Sequence, residues 1–465
     1  MGVLLIVLEA SLLLVSAIGV IVSLEERMSL APLDMLAIET VIFPAAAIAA
    51  AAMVSFYYTD LYDLRIVRRF RDFALRLLQA VGLTIVLLGF VYVVFPEAVI
   101  SRRTLLITVA ATVAVTVALR AGWYALLRRR PFSDRVLILG TGRLAASLVR
   151  LIDGAPELRL SIIGCLDEHA GSASDLPVAG PMERLREIVQ ELRPDRIVVA
   201  LAERRGRLPT SALLHSRFDG ILVEDGVDVY ERLAGKLAIE SMTPSSLIFS
   251  SDFRKSRFAR GTQRLLSMTV AAVAVVLTAP FMALIAVIIR MESAGPALFI
   301  QSRIGLHGRP FRLMKFRTMR VADGEARSFW VKDNEDRLTR LGRFLRRSRL
   351  DELPQFINVL RGDMNLVGPR PQPIENAELF RSAIPYYEFR CVVRPGVTGW
   401  AQIRYGYANN LFEETEKMRY DLYYIKRMSV LFDVLILLET VKIMLFGRGA
   451  HATTVYDEPI QEEAK

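Results

Sequence analysis

The chain has 465 residues, 53% of them hydrophobic, and a mean hydropathy of +0.35. Its 59 basic and 49 acidic residues leave a net charge of +10, which suits an anionic membrane surface, a phosphorylated substrate or nucleic acid. This composition rules out a disordered chain and an ordinary soluble one. Two cysteines cannot make a disulfide framework, and four scattered histidines show no metal-ligand spacing, so nothing points to an oxidising compartment or a zinc enzyme.

Four apolar runs open the chain, Val3–Leu24, Met35–Tyr57, Leu77–Val94 and Leu105–Leu127. Each is near the roughly 20 helical residues that cross a hydrocarbon core. The first lacks a basic N-terminal region, which argues for an anchor over a cleaved signal peptide. Arg65, Arg68, Arg69, Arg71 and Arg76 crowd the second loop, and Arg128 to Arg130 follow the fourth run. Basic short loops stay inside, so the N-terminus, this loop and everything after Arg128 are expected in the cytoplasm. Glu39 and Arg120, toward run ends, are expected to snorkel.

From Asp134 short β-rich runs alternate with helical pattern, as in a parallel sheet covered by helices. Strands are predicted at Arg135–Leu139, Leu160–Cys165, Arg196–Leu201 and Ile221–Glu224, and helices at Leu144–Ile152 and Met182–Leu192. Gly140 and Gly142 belong to a G-x-G-x-x-A turn after the first strand, and Asp167 and Glu168 follow the second. Such glycines let a backbone approach a pyrophosphate, but the same turn serves Rossmann-like domains that bind nothing. The acids Glu224 and Asp225 before Gly226 read as a strand ending in a turn.

A fifth apolar run, Leu265–Ile289, has basic residues on both flanks, so both ends prefer the same side. Pro280, helped by Thr278, is expected to break it into two halves of about 20 Å, each too short to cross. The expectation is a re-entrant helix; a plain span is the alternative. Beyond it, Lys315-Phe316-Arg317-Thr318-Met319, Arg346 through Gln355, Gly362-Asp363-Met364, Gly368-Pro369-Arg370-Pro371 and Arg394 through Trp400 set adjacent carboxylates among cations. Acids paired with guanidinium forks suit metal-assisted phosphoryl transfer, whereas Asp351-Glu352 alone would also fit a helix N-terminus.

This series of motifs, over roughly Lys255 to Phe446, resembles the bacterial sugar transferase family of polyprenyl-phosphate sugar-1-phosphate transferases, in its large membrane-anchored form. Asp60-Leu61-Tyr62-Asp63 is similar to a segment of those members. The resemblance implies a membrane protein with a four-helix transmembrane N-terminal bundle (1–130), an α/β Rossmann-like middle domain (131–250) and a mostly helical monotopic catalytic domain with a re-entrant membrane helix (251–447). An acidic tail (448–465) is expected to be disordered.

The resemblance further implies transfer of sugar 1-phosphate from a UDP-sugar to undecaprenyl phosphate, at the cytoplasmic face of a bacterial inner membrane, starting an exopolysaccharide or related glycan. Asp351 would be the nucleophile that forms an aspartyl-phosphosugar and releases UMP, and Glu352 would help it hold Mg²⁺. Arg346, Arg370, Lys315 and Arg317 would contact phosphates or headgroups, and Asp363 would support the metal or orient an arginine. Asp421 and Asp433 match late acids of unassigned role. Nucleic acid is not expected, because the charge follows membrane flanks and no nucleic-acid module appears. The extra domains offer surface for a homodimer. The rival reading is a membrane-anchored nucleotide sensor with a non-catalytic C-terminal block, against which the intact dyad and arginine motifs argue.

Overall fold

The computed structural model describes residues 2–24, 41–62, 70–128, 133–155, 158–167, 176–201, 207–239, 253, 255–320, 337–406, 408 and 410–446. Glu39, Glu168, most arginines of the second loop and the acidic tail lie outside the described residues. The chain divides into two compact units, Met1–Asp134 with Gly154–Ser161, and Arg135–Asp153 with Ile162–Lys465.

In the first unit, α1 (Gly2–Leu24), α2 (Phe43–Tyr58), α3 (Phe70–Val94) and α4 (Arg102–Arg128) are apolar helices. Ile6–Leu24, Phe73–Val94 and Arg102–Gly122 are long and apolar enough to cross a membrane, whereas the described part of α2 is shorter. Ala45, Ala49 and Ala52 are buried on α2, where small side chains let helices approach closely. Arg120 does not snorkel. It is 1% exposed, its Nη2 lies 3.0 Å from Glu9 Oε2 on α1, and its guanidinium stands 5.2 Å from the Tyr62 ring centre. A charge held between helices is better offset by an opposite charge than by a long reach to the interface.

The second unit begins with β1 (Asp134–Leu139), α5 (Arg143–Asp153), β2 (Leu160–Asp167), β3 (Val178–Pro181), α6 (Leu185–Leu192), β4 (Arg196–Val199), α7 (Thr210–Phe218), β5 (Leu222–Asp225) and α8 (Gly226–Ala234). The five strands form one sheet in the order β3-β2-β1-β4-β5, and the β1–β4, β4–β5 and β2–β3 pairs are parallel. Val136 to Leu139 are fully buried, as expected of a central strand covered on both faces. The short Val-Ala-Gly-Pro strand β3 carries no alternation and ends in proline, so its sequence gives no strand signal. The acid pair before Gly226 does not end in a turn. Asp225 caps α8 directly, its side chain accepting from Val227 N at 2.8 Å.

The two glycines of the β1–α5 turn separate. Gly140 has φ +109°, a conformation that disfavours any Cβ, and its N–H donates to Leu166 O at 2.9 Å. A Cβ on Gly142 would meet nothing within 4 Å. Gly140→Ala should therefore cost about 1–3 kcal/mol and Gly142→Ala under about 0.5 kcal/mol. Melting of the two full-length variants in one detergent checks the order.

The remaining elements are α9 (Arg257–Glu292), the antiparallel hairpin β6 (Leu298–Ile304) and β7 (Pro310–Phe316), α10 (Arg340–Arg347) and α11 (Gln355–Arg361). They continue with β8 (Asn365–Val367), α12 (Ile374–Ala383), β9 (Gly396–Thr398), α13 (Trp400–Arg404), α14 (Leu411–Arg427) and α15 (Val430–Phe446). The expected break at Thr278 and Pro280 is not a break in helical assignment: α9 is helical throughout, with Pro280 inside it. Thr278 Oγ1 donates to Ala274 O at 2.7 Å, satisfying a carbonyl of its own preceding turn.

Near its start, α9 packs on the C-terminal core. Gln263 Nε2 donates to Asp433 Oδ2 at 2.9 Å, Arg264 donates to the Met364 and Val359 carbonyls, and Ala271 is fully buried. Near its end, Ile285 and Ile289 join a cluster with Ala297, Phe316 and Leu345. Between them Val276 and Leu277 are each 73% exposed.

The C-terminal domain is expected to begin at residue 251, but its hydrophobic core includes residues before that point. Leu237 and Ile239 belong to the same buried cluster as Trp400, Met418 and Ile436. Trp400 Nε1 donates to Gly235 O at 2.7 Å, and the Lys236–Glu416 pair, at 2.8 Å, is buried. The middle and C-terminal domains thus share one compact unit.

Candidate active site

The dyad sits on a 3-10 turn, Leu350–Glu352, between α10 and α11. Arg349 enters it at φ +58°, so the chain reverses sharply after α10. Leu350 and Leu353, on either side of the dyad, pack on the cluster that holds the end of α9, and this fixes the turn. Pro354 then leads into α11, a position where its missing N–H costs nothing.

Asp351 is 7% exposed. Burial, with repulsion from Glu352, pushes its carboxyl up to about 6, against the attraction of Lys315, Arg370 and Arg346. Burial also opposes the charge on Glu352, yet Arg370 and Arg349 outweigh it and hold that carboxyl below its ordinary value. Arg370 Nη2 lies 2.8 Å from Glu352 Oε1, and Arg349 Nη1 lies 3.7 Å from it. The two adjacent acids thus separate into one held below its ordinary value and one raised to about 6, which is still mostly ionised at neutral pH.

The hairpin supplies cations on this side. Lys315 stands over the ring of Phe299, its cross-strand partner, at 5.1 Å. Burial, then Arg303 and Arg370, lowers its ammonium to about 8. Arg303 is itself pushed down to about 10, by burial and then by Arg370. Arg346 donates from Nε to Thr318 Oγ1 at 3.1 Å, which ties α10 to the segment after β7. Cations crowded enough to depress one another form a site that gains from receiving an anion.

Two predicted residues stand apart. Arg317 is 6% exposed and its guanidinium is spent on backbone, donating to Ser293 O at 2.6 Å and to Ala294 O at 2.8 Å. It fastens the exit of α9 to the end of β7 rather than presenting a free fork to phosphate. Asp363 lies beyond the far end of α11, where its Oδ2 accepts from Asn358 Nδ2 at 3.0 Å. Asn358 in turn accepts from Met314 N and donates to Arg312 O, so Asp363 braces the hairpin and not the dyad. The late acids are structural as well. Asp421 pairs with Arg390 at 2.8 Å, and Asp433 accepts from Tyr424 and Gln263.

Sequence reasoning missed Arg303 and Arg349. Arg349 lies two residues before Asp351 and is legible once its turn is known. Arg303 reaches the site only through the hairpin and carries no local signal. Among the described residues no group of three or more histidine, cysteine or acidic side chains could hold a metal. Two carboxylates alone still fit Mg²⁺, which takes one or two protein acids and completes its shell with water and substrate phosphates.

A family profile described as bacterial sugar transferase matches residues 258–447, and one described as a CoA-binding domain matches residues 58–207. A UDP-N-acetylgalactosamine-undecaprenyl-phosphate N-acetylgalactosaminephosphotransferase of Aeromonas hydrophila is 37% identical over 59% of this chain, a match spanning 62% of that protein's length. UDP-glucose:undecaprenyl-phosphate glucose-1-phosphate transferases of Escherichia coli K12 and Klebsiella pneumoniae are 32% and 30% identical, over 69% and 78% of this chain and 69% and 80% of their own lengths. With similarity running along so much of both chains, and the acid dyad lying inside the matched block, this protein belongs to the bacterial sugar transferase family.

Proposed function

We propose that this membrane protein transfers sugar 1-phosphate from a UDP-sugar to undecaprenyl phosphate. The observation that carries the reading is the buried dyad, one acid firmly ionised under Arg370 and the other titrating near 6, faced by Lys315 and Arg346. An Asp351 carboxylate oxygen attacks the β-phosphorus of the donor, the bond to the UMP oxygen breaks, and UMP leaves with the electron pair. A phosphate oxygen of the lipid then attacks the same phosphorus and the aspartyl oxygen departs as carboxylate. Desolvation makes the carboxylate more reactive, and the surrounding cations offset the charge moving onto the leaving phosphate. Asp351 and the Glu352 oxygen not engaged by Arg370 would hold Mg²⁺, which when bound neutralises phosphate charge.

The names of the relatives differ in the sugar, so the sugar here is a matter for assay. Release of UMP from a panel of UDP-sugars, dependent on undecaprenyl phosphate and Mg²⁺, tests the proposal. No release from any donor, by protein that melts cooperatively, would overturn it.

The same reading puts the catalytic domain on the cytoplasmic face, with α9 dipping into the membrane and returning. The support is that one polar domain grips both Arg264 and Ser293, while the apolar middle between them is exposed. A domain cannot hold both ends of a helix that crosses 30 Å of hydrocarbon. Single cysteines replacing Ser256 and Ser302, after Cys165 and Cys391 are changed to serine, should both resist an impermeant thiol reagent in intact cells and react in opened ones. Labelling at position 302 alone in intact cells would mean that α9 spans.

A further inference from the structure

Resting on the transferase reading, we propose that the buried Arg390–Glu414 pair is a positioning element for the reaction, holding the strap from Pro369 to Gln372 so that Arg370 stays on Glu352. Arg370 lies between two prolines, and the one that follows it disfavours helical backbone there. Every carbonyl of the strap is engaged. Pro369 O accepts from Gly396 N at 3.0 Å, Arg370 O from Arg390 Nη2 at 3.2 Å, Pro371 O from Arg303 Nη1 at 3.0 Å, and Gln372 O from Ile304 N at 3.0 Å.

Only the carbonyl of Arg370 itself is tied to the fully buried charge network. Arg390, 5% exposed, donates from Nη1 to Glu414 Oε1 at 2.9 Å and to Tyr387 OH at 2.6 Å. Glu414 Oε1 also accepts from Gln372 Nε2 at 2.8 Å. One carboxylate oxygen therefore governs the chain on both sides of Pro371, through Arg390 on one side and Gln372 on the other. Asp421 and Lys417 complete the charge balance, at 2.8 Å from Arg390 and 3.6 Å from Glu414. Buried charges of this kind are a poor way to stabilise a core, where apolar side chains serve as well or better. They are a good way to fix one geometry, and the geometry fixed here ends on the guanidinium that bonds the dyad.

A positioning role and a merely structural one differ in a double-mutant cycle. Arg390→Lys keeps the charge but loses the fork, and should lower kcat for UMP release about tenfold, with Arg370→Lys lowering it about 100-fold. If Arg390 acts through Arg370, the double variant should be no slower than Arg370→Lys alone, within about threefold. Losses that multiply would overturn the proposal.

Should Arg390→Lys fail to fold, Gln372→Ala removes only the strap's donor to Glu414 and takes its place in the same cycle. A second measurement needs no turnover. The coupling between Arg370 and Glu352, obtained from the melting of Arg370→Lys, Glu352→Gln and the double variant, should shrink when repeated in the Gln372→Ala background. Unchanged coupling would overturn the proposal. If the wild-type protein released no UMP from any donor the transferase reading would fall, and this coupling would still decide whether the brace acts on Arg370.

Discussion

Asp351→Asn should abolish UMP release, by at least about 10³-fold, while the protein melts no lower than wild type. The amide cannot form an acyl-phosphate, so the loss belongs to the chemical step. The stability half follows from burial. Asp351 is 7% exposed and its carboxyl is raised to about 6, so the folded state holds that proton more tightly than the unfolded chain. Ionisation at neutral pH therefore works against folding, and a neutral amide removes that cost. The same shift sets the acid limb of kcat/KM. The nucleophile must be ionised, and activity should fall as pH drops through about 6. An acid limb near 4, or near-normal UMP release from Asp351→Asn, would remove Asp351 from the nucleophile's role.

The second large effect concerns where the catalytic module begins. Deleting residues 1–247 takes away Leu237 and Ile239, at 0% and 3% exposure, together with the partner of Trp400 Nε1. Each buried aliphatic lost is worth about 2–5 kcal/mol, and the two together approach the whole stability of a typical domain. This truncation should aggregate or melt tens of degrees lower. A chain starting at Gly235 keeps the Gly235 carbonyl, the Lys236–Glu416 pair and both aliphatics, and should retain activity within about tenfold of full length. Equal melting temperatures for the two truncations would mean that the segment after α8 contributes nothing to the catalytic core.

What could be read in advance follows physical range. The apolar spans, the strand–helix alternation and the acid dyad are local patterns, and they reappear in α1, α3 and α4, in the five-stranded sheet and in the Leu350–Glu352 turn. The parts that were misassigned depend on partners far along the chain. Arg317 looked like a phosphate ligand because a guanidinium's type says nothing about whether carbonyls at Ser293 and Ala294 have already claimed it. Gly140 and Gly142 look alike in the motif, although only Gly140 adopts a left-handed backbone. The polarity of Asp351's shift needed its burial, which composition does not carry.

The pair between Glu9 and Arg120 has a consequence for how the bundle assembles. The two residues are 111 positions apart, one on α1 and the other on α4. A lone carboxylate in hydrocarbon is costly, and the cation that offsets it lies 111 residues further along the chain. The Glu9 carboxylate therefore has this counter-charge only once α4 has packed against α1, which couples the burial of one helix to the docking of the other.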